Sequence, residues 1–168
     1  MPSTFSFWHL HNLIQTVFDW QNYHLHMFEV GGRGSKVKRI VMNYDPETLE
    51  CMDPDSCDIL LERFTALKDI FPYHREIMYE YDFGDSWQHT ITLEKTVSSD
   101  TLEVTYLDGR GERPSEDVGG SWGYMELWQT KQIPNMRLWA ASQAERKRSY
   151  VFAVMALGCP KGASCRSG

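Results

Sequence analysis

The chain has 168 residues, 42% of them hydrophobic and 13% aromatic, with a net charge of −6. That length suits one domain with a real core, and that composition excludes a disordered chain. The longest apolar run, residues 150–157, is too short to cross a bilayer, and no charged-then-apolar leader opens the chain. The expected location is therefore cytoplasmic, with no membrane contact.

Taken in order, Ser3, Thr4 or Ser6 is placed to cap a first helix that runs to Phe18. Leu10, Leu13, Ile14, Val17 and Phe18 recur at helical spacing as its core stripe, with His11 at the edge as a partly buried, hydrogen-bonded histidine. His24, His26, Phe28 and Val30 then share one face of a predicted strand. A His-x-His pair on one face suits metal ligation, and equally suits imidazoles bonded inside an ordinary sheet. Gly31-Gly32-Arg33-Gly34 is a flexible loop, without the strand–helix context of a phosphate cradle. Residues 36–44 read as a strand and residues 45–56 as an acidic loop. Residues 58–71 read as a helix with Leu60, Phe64, Leu67 and Phe71 on one face, closed by Pro72.

The densest chemistry lies in residues 79–89. Ile77, Tyr79, Tyr81 and Phe83 alternate with Met78, Glu80 and Asp82. Beyond Gly84-Asp85-Ser86, Trp87, His89, Ile91 and Leu93 alternate with Gln88, Thr90, Thr92 and Glu94. This is the pattern of a β-hairpin bearing Tyr-Asp-Phe-Gly-Asp-Ser-Trp at its tip, with Gly84 taking a backbone angle that side chains resist. Asp82, Asp85, Trp87 and His89 gather there. Carboxylates and imidazole in proximity bind divalent metals or move protons. The plainer alternative is that Asp85 bonds its own turn while Trp87 and His89 pack in a core.

Residues 102–107 read as a further strand, and residues 108–123 as a long polar loop of the kind a scaffold presents to a ligand. Its Glu116 and Asp117 either join the hairpin acids or cap a helix that starts near Gly123. The candidate functional cluster is thus Asp82, Asp85, Trp87, His89, Glu116 and Asp117. The candidate ligands for a divalent metal are His24, His26, Asp82, Asp85 and His89.

Residues 1–128 hold 10 basic and 22 acidic side chains, a net −12, while residues 129–168 hold 7 basic and one acidic, a net +6. Arg146, Lys147 and Arg148 form a basic cluster that is the candidate nucleic-acid contact, opposed by the acidic body. Residues 134–157 are expected to be helical with Gly158 as the stop, and residues 158–168 to lack order. The division expected is an α+β domain over residues 1–128 and a basic C-terminal segment over residues 129–168. Cys51, Cys57, Cys159 and Cys165 form two C-x5-C pairs, which do not match common zinc spacings, so free thiols are expected. No local motif for a nucleophilic Ser or Cys is present.

Three ordered blocks carry a resemblance. They are Phe7-Trp8-His9-Leu10-His11-Asn12-Leu13-Ile14-Gln15 continuing to Met27-Phe28, then Tyr79 to His89 with Ile91-Thr92-Leu93-Glu94-Lys95, then Pro114-Ser115-Glu116-Asp117-Val118-Gly119-Gly120 with Trp122-Gly123-Tyr124. Together they resemble the plasmid pRiA-type ORF-three-like family, also labelled as a transposon-element passenger, TnpR. The resemblance runs from about Pro2 to about Leu127. It implies an α+β fold with a mixed or antiparallel sheet packed by helices, and family members are mostly described as uncharacterised. Members usually carry another N-terminal strand, and its absence here implies an exposed sheet edge open to a protein partner or to self-association. Three functions are expected to compete: a non-enzymatic binding or accessory module of a mobile element, a metal-assisted hydrolase using the His/Asp cluster, and nucleic-acid binding through the basic segment.

Overall fold

Ser6 closes the extended N-terminal segment and opens α1 (Phe7–Phe18). Its backbone N–H and its hydroxyl both meet His9 Nδ1, at 3.2 and 2.9 Å, so a histidine makes the reciprocal cap more often made by Glu or Gln. The computed structural model of the chain describes residues 1–32, 36–44, 57–99, 101–109, 113–130, 150–153 and 156–159. Within these, β1 (His26–Val30), β2 (Val37–Val41), β3 (Cys57–Leu61), β4 (Glu76–Tyr81), β5 (Trp87–Thr92) and β7 (Tyr150–Ala153) form one sheet in the order β3-β2-β1-β4-β5-β7. The centre is antiparallel, and the outer pairs β2–β3 and β5–β7 are parallel. β6 (Lys95–Ser98) and β8 (Ala156–Cys159) pair separately, also in parallel. Two further helices are α2 (Leu67–Ile70) and α3 (Gly120–Thr130). The class is α+β, with a mixed sheet. None of the described helices is long and apolar enough to cross a membrane.

The pleat decides what faces α1. His26, Phe28 and Val30 of β1, Ile77, Tyr79 and Tyr81 of β4, and Trp87, His89 and Ile91 of β5 all point inward and are buried. Phe7 meets Phe28 edge-on at 5.0 Å, Phe18 stacks on Trp20 at 4.3 Å, and Trp20 stacks on Tyr81 at 4.7 Å. Backbone bonds from Leu67 N–H to the Phe5 carbonyl and from Phe7 N–H to the Thr65 carbonyl tie the N-terminus to the start of α2.

Four expectations are corrected. The buried side of α1 is Phe7, Leu10, His11, Ile14, Gln15 and Phe18, with Val17 turned to solvent, so the stripe is rotated and His11 lies fully inside. The predicted helix at residues 58–71 is β3 followed by a turn and the four-residue α2, because Cys57–Leu61 finds backbone partners on β2. Phe64, assigned to that helix's apolar face, is 83% exposed. Residues 102–107 are exposed without regular structure. The expected C-terminal helix is replaced, where it is described, by β7 and β8, and its aromatic and β-branched start suits the ladder along β5. Residues 45–56 and the cluster Arg146, Lys147 and Arg148 lie outside the described residues.

Polar groups inside α1 are satisfied by a closed ring. Gln15 Oε1 accepts the Asn22 N–H at 3.1 Å, and Gln15 Nε2 donates to the Tyr79 hydroxyl at 3.3 Å. Tyr79 and His11 Nδ1 are 2.9 Å apart, and His11 Nε2 is 2.8 Å from Asn22 Oδ1. Asn22 Oδ1 only accepts, so the His11 proton sits on Nε2 and Nδ1 receives the Tyr79 proton. Burial, followed by the nearby His26, lowers His11 to about 4, and burial lowers His89 to about 4 as well.

Both histidines bind fewer protons folded than unfolded, where their value is 6.5. Stability is therefore full above pH 6.5 and falls as pH drops toward 4, by up to about 3 kcal/mol per histidine. Against a typical total of about 5–15 kcal/mol, that loss is decisive. Urea midpoints measured at pH 7.5, 5.5 and 4.5 are expected to fall steeply in that order, and a flat series contradicts the burial of these two rings.

Candidate functional site

The reversal between β4 and β5 is built on Asp82. Asp82 and Ser86 take left-handed backbone angles, φ 58° and 51°. Asp82 Oδ1 accepts the N–H groups of Gly84 and Asp85 at 3.0 and 3.2 Å, the side-chain-to-backbone turn that Asp favours. Its own N–H bonds the Leu25 carbonyl at 2.9 Å, which ties the tip to the approach of β1. Gly84 does not supply the positive angle expected of it. A Cβ there would stand 3.2 Å from Asp82 Oδ1, so the glycine makes room for the carboxylate. The turn-forming carboxylate is that of Asp82, where the sequence pointed to Asp85.

With Oδ1 committed to the turn, Asp82 Oδ2 faces His24, 3.7 Å from Nε2. The third member arrives from residues 113–120, a strap laid across the end of the sheet. Arg113 pairs with the Asp19 carboxylate at 2.6 Å and donates to the Phe18 and Asp19 carbonyls. Trp20 Nε1 donates to the Pro114 carbonyl at 3.0 Å. Glu116 accepts from the Tyr81 hydroxyl through one oxygen and from the Gln21 N–H at 2.7 Å through the other. Asp85 Oδ2 accepts the Gly119 N–H at 3.1 Å. So held, Asp117 sets Oδ1 2.9 Å from His24 Nε2. Gly120, at φ +62°, lies so close that a Cβ would meet the Asp85 carbonyl oxygen at 2.6 Å.

His24, Asp82 and Asp117 each offer one ligand atom, all within 4.8 Å of one another. Ligand atoms on one ion at 2.0–2.2 Å stand about 3.0–3.6 Å apart, so separations of this size need only small side-chain rotations. The set has one imidazole nitrogen and two carboxylate oxygens, which suits zinc or manganese and leaves further positions open. Exposure grades across the group: the side chain is 12% exposed for Asp82, 28% for His24 and 67% for Asp117. Beside it, burial and then the Glu116 carboxylate raise the Tyr81 hydroxyl well above the ordinary phenol value, so it stays a donor.

The other proposed ligands go elsewhere. Strand alternation turns His26 inward, where Nε2 bonds Glu62 Oε2 at 2.8 Å with both side chains 1% exposed, and its ring stacks on His11 at 3.5 Å. His89 is buried opposite Tyr79, donating Nδ1–H to the Trp87 carbonyl at 3.2 Å, with Phe18 and Trp20 edge-on to its ring. Trp87 is a core residue facing Tyr124 of α3. Asp85 and Glu116 hold the strap. Two residues were not singled out from sequence, Tyr81 as the anchor of Glu116 and Glu62 as the partner of His26, and the link of His24 to Asp117 was not foreseen either. A carboxylate that follows an apolar run gives no cue to a histidine 36 positions away.

The fold and this cluster define an α+β domain whose open mixed sheet carries a His–carboxylate group at one end, closed by a strap. The chain belongs to the family described as "Plasmid pRiA4b ORF-3-like protein", whose profile matches residues 1–150. It is 30% identical over 135 residues to "Uncharacterized protein y4hQ" of Sinorhizobium fredii (strain NBRC 101917 / NGR234), covering 80% of this chain and 64% of that one. The chain thus spans just under two thirds of that relative's length. It also resembles the crystal structure of a protein of unknown function, MM3350 from Methanosarcina mazei Go1, with a TM-score of 0.57 and 28% identity over 83% of this chain and 77% of that one.

Replacing Tyr81 by Phe removes the donor to Glu116 and leaves a half-buried carboxylate short of one partner, a loss of about 1–3 kcal/mol. Gly120→Ala drives a methyl into the Asp85 carbonyl. Both variants are expected to speed hydrogen exchange at the Gly119 amide while exchange in the centre of β4 stays near wild type. Equal acceleration in strap and sheet contradicts the strap as a separately anchored unit.

Proposed function

We propose that this domain is a non-enzymatic binding module whose ligand is engaged through a divalent cation held by His24, Asp82 and Asp117. The single observation that carries this reading is the convergence of one imidazole nitrogen and two carboxylate oxygens from three separate segments. Like charges of two aspartates this close repel, and a cation between them relieves that repulsion more fully than one imidazole does. Glu116, Asp85 and Tyr81 act as positioning groups, as outer partners of metal ligands do. The exposed side of Asp117 leaves room for a donor from a partner molecule.

That same open side admits water, which favours a second reading as a metal-assisted hydrolase. Nucleic-acid binding is not favoured by this site, since its carboxylates and the acidic body repel phosphate unless a cation intervenes. A role in a mobile element rests on the family alone.

Equilibrium dialysis against zinc and manganese is expected to show one bound ion per chain. His24→Gln, Asp82→Asn and Asp117→Asn are each expected to weaken binding by about tenfold or more. Asp58→Asn, far along the sheet, serves as the control. Binding that is absent, or that all three variants leave unchanged, overturns the site. Metal-dependent turnover of a phosphodiester or peptide substrate, lost in the same variants, moves the assignment to the hydrolase.

A further inference from the structure

We infer that the chain pairs with a second copy of itself, residues 102–107 of one adding a strand to β3 of the other. β3 is the outermost strand of the large sheet, and no strand pairs with its far side among the described residues. An open edge of this kind presents a row of backbone donors and acceptors to any extended chain. Residues 102–107 have the sequence of a strand, with Leu102, Val104 and Tyr106 alternating with Glu103 and Thr105, yet they pair with no strand among the described residues. Leu102 is 70% exposed, Tyr106 65% and Leu107 64%, a concentration of apolar surface that water does not favour.

The two surfaces match on both sides of the pleat. On one side of the sheet, Cys57, Ile59 and Leu61 belong to a small apolar cluster with Met27, Val37 and Val41, in which Ile59 and Leu61 are only partly buried. Leu102, Val104 and Tyr106 laid against β3 extend that cluster. Alternation then places Glu103 on the opposite side, with Asp58 and Leu60 of β3 and Lys38 of β2. Lys36 is paired with Asp58 at 2.7 Å, whereas Lys38 has no ion pair among the described residues and lines the groove along this edge. Glu103 answers that ammonium.

The partner is another chain because residues 102–107 of the same chain lie exposed and outside any strand, on the path from β6, which ends at Ser98, to Arg113 beside Phe18 and Asp19. Two copies that each give and receive a strand close with two-fold symmetry. The inference is independent of the cation site.

Sedimentation velocity of the full 168-residue chain over a concentration series is expected to show a monomer–dimer equilibrium. Lys38→Glu and Glu103→Lys are each expected to raise the dimer dissociation constant about tenfold, and the double variant to recover most of that loss. Val104→Asp, on the apolar side, is expected to abolish the dimer with an unchanged circular dichroism spectrum. A chain that stays monomeric throughout the series overturns the inference. So does a dimer indifferent to Val104→Asp, or one in which the charge exchange restores nothing.

Discussion

Two tyrosine hydroxyls on one face of β4 hold the candidate site together. Tyr79 and Tyr81 are two residues apart, so the pleat sends both rings inward under α1. Tyr79 enters the ring of hydrogen bonds with His11, Gln15 and Asn22, which locks the helix and the connection leaving it to the sheet. Tyr81 accepts the Tyr23 N–H at 3.2 Å and donates to Glu116. One residue thus fixes the backbone immediately before His24 and the side chain immediately before Asp117. A cluster assembled from three segments needs a common reference, and the inner face of β4 supplies it.

Placing polar groups in a core of Phe, Trp and Tyr is costly unless each is satisfied. The Tyr79 ring of bonds meets that condition. The His26–Glu62 pair meets it in part, since His26 Nδ1 and Glu62 Oε1 have no hydrogen-bond partner among the described residues. Replacing such a pair by apolar residues of similar size is often neutral or stabilising, whereas removing one member is strongly destabilising. The pair is therefore better read as a device that fixes register between β1 and the turn after β3 than as a source of net stability. It also explains why His26, although two residues from His24, does not serve the cluster: its Nε2 is already engaged at full burial.

Much of this was legible in the chain because it depends on short-range pattern. The period-two alternation around residues 82–86 gives the hairpin, and the apolar positions from Leu10 to Phe18 give α1. What escaped depends on partners distant in sequence. Periodicity favours Leu13 and Val17 over His11 and Gln15, and the polar pair is acceptable inside because Asn22 and the Tyr79 hydroxyl, the latter 64 or more positions away, complete its hydrogen bonds. Residues 58–71 carry a convincing helical spacing, but β2 offers Cys57–Leu61 a parallel ladder, and tertiary pairing outweighs a weak local preference. The aspartates at the tip were visible as a group. That Asp82 makes the turn while Asp85 reaches across to residue 119 is decided by a 3.0 Å bond to Gly84 and a 3.1 Å bond to Gly119 that no spacing encodes.

The strap gives the cluster a property that a site built only on the sheet would lack. Asp82 and His24 are set by the hairpin and by the approach to β1, while Asp117 is carried by residues that contact the scaffold through side chains and single backbone bonds. The strap runs directly into α3, whose Tyr124 packs edge-on to Trp87 at 6.3 Å. A cation at the proposed site would join Asp117 to Asp82 and with them the strap to the sheet, and any force that moves α3 acts on Asp117 before it acts on Asp82 or His24. Binding energy at such a site is shared with ordering of the strap, so affinity depends on how well Glu116, Asp85 and Arg113 have already positioned it. The seven-residue spacing between Asp117 and Tyr124 is thus the physical link between the cluster and the rest of the core.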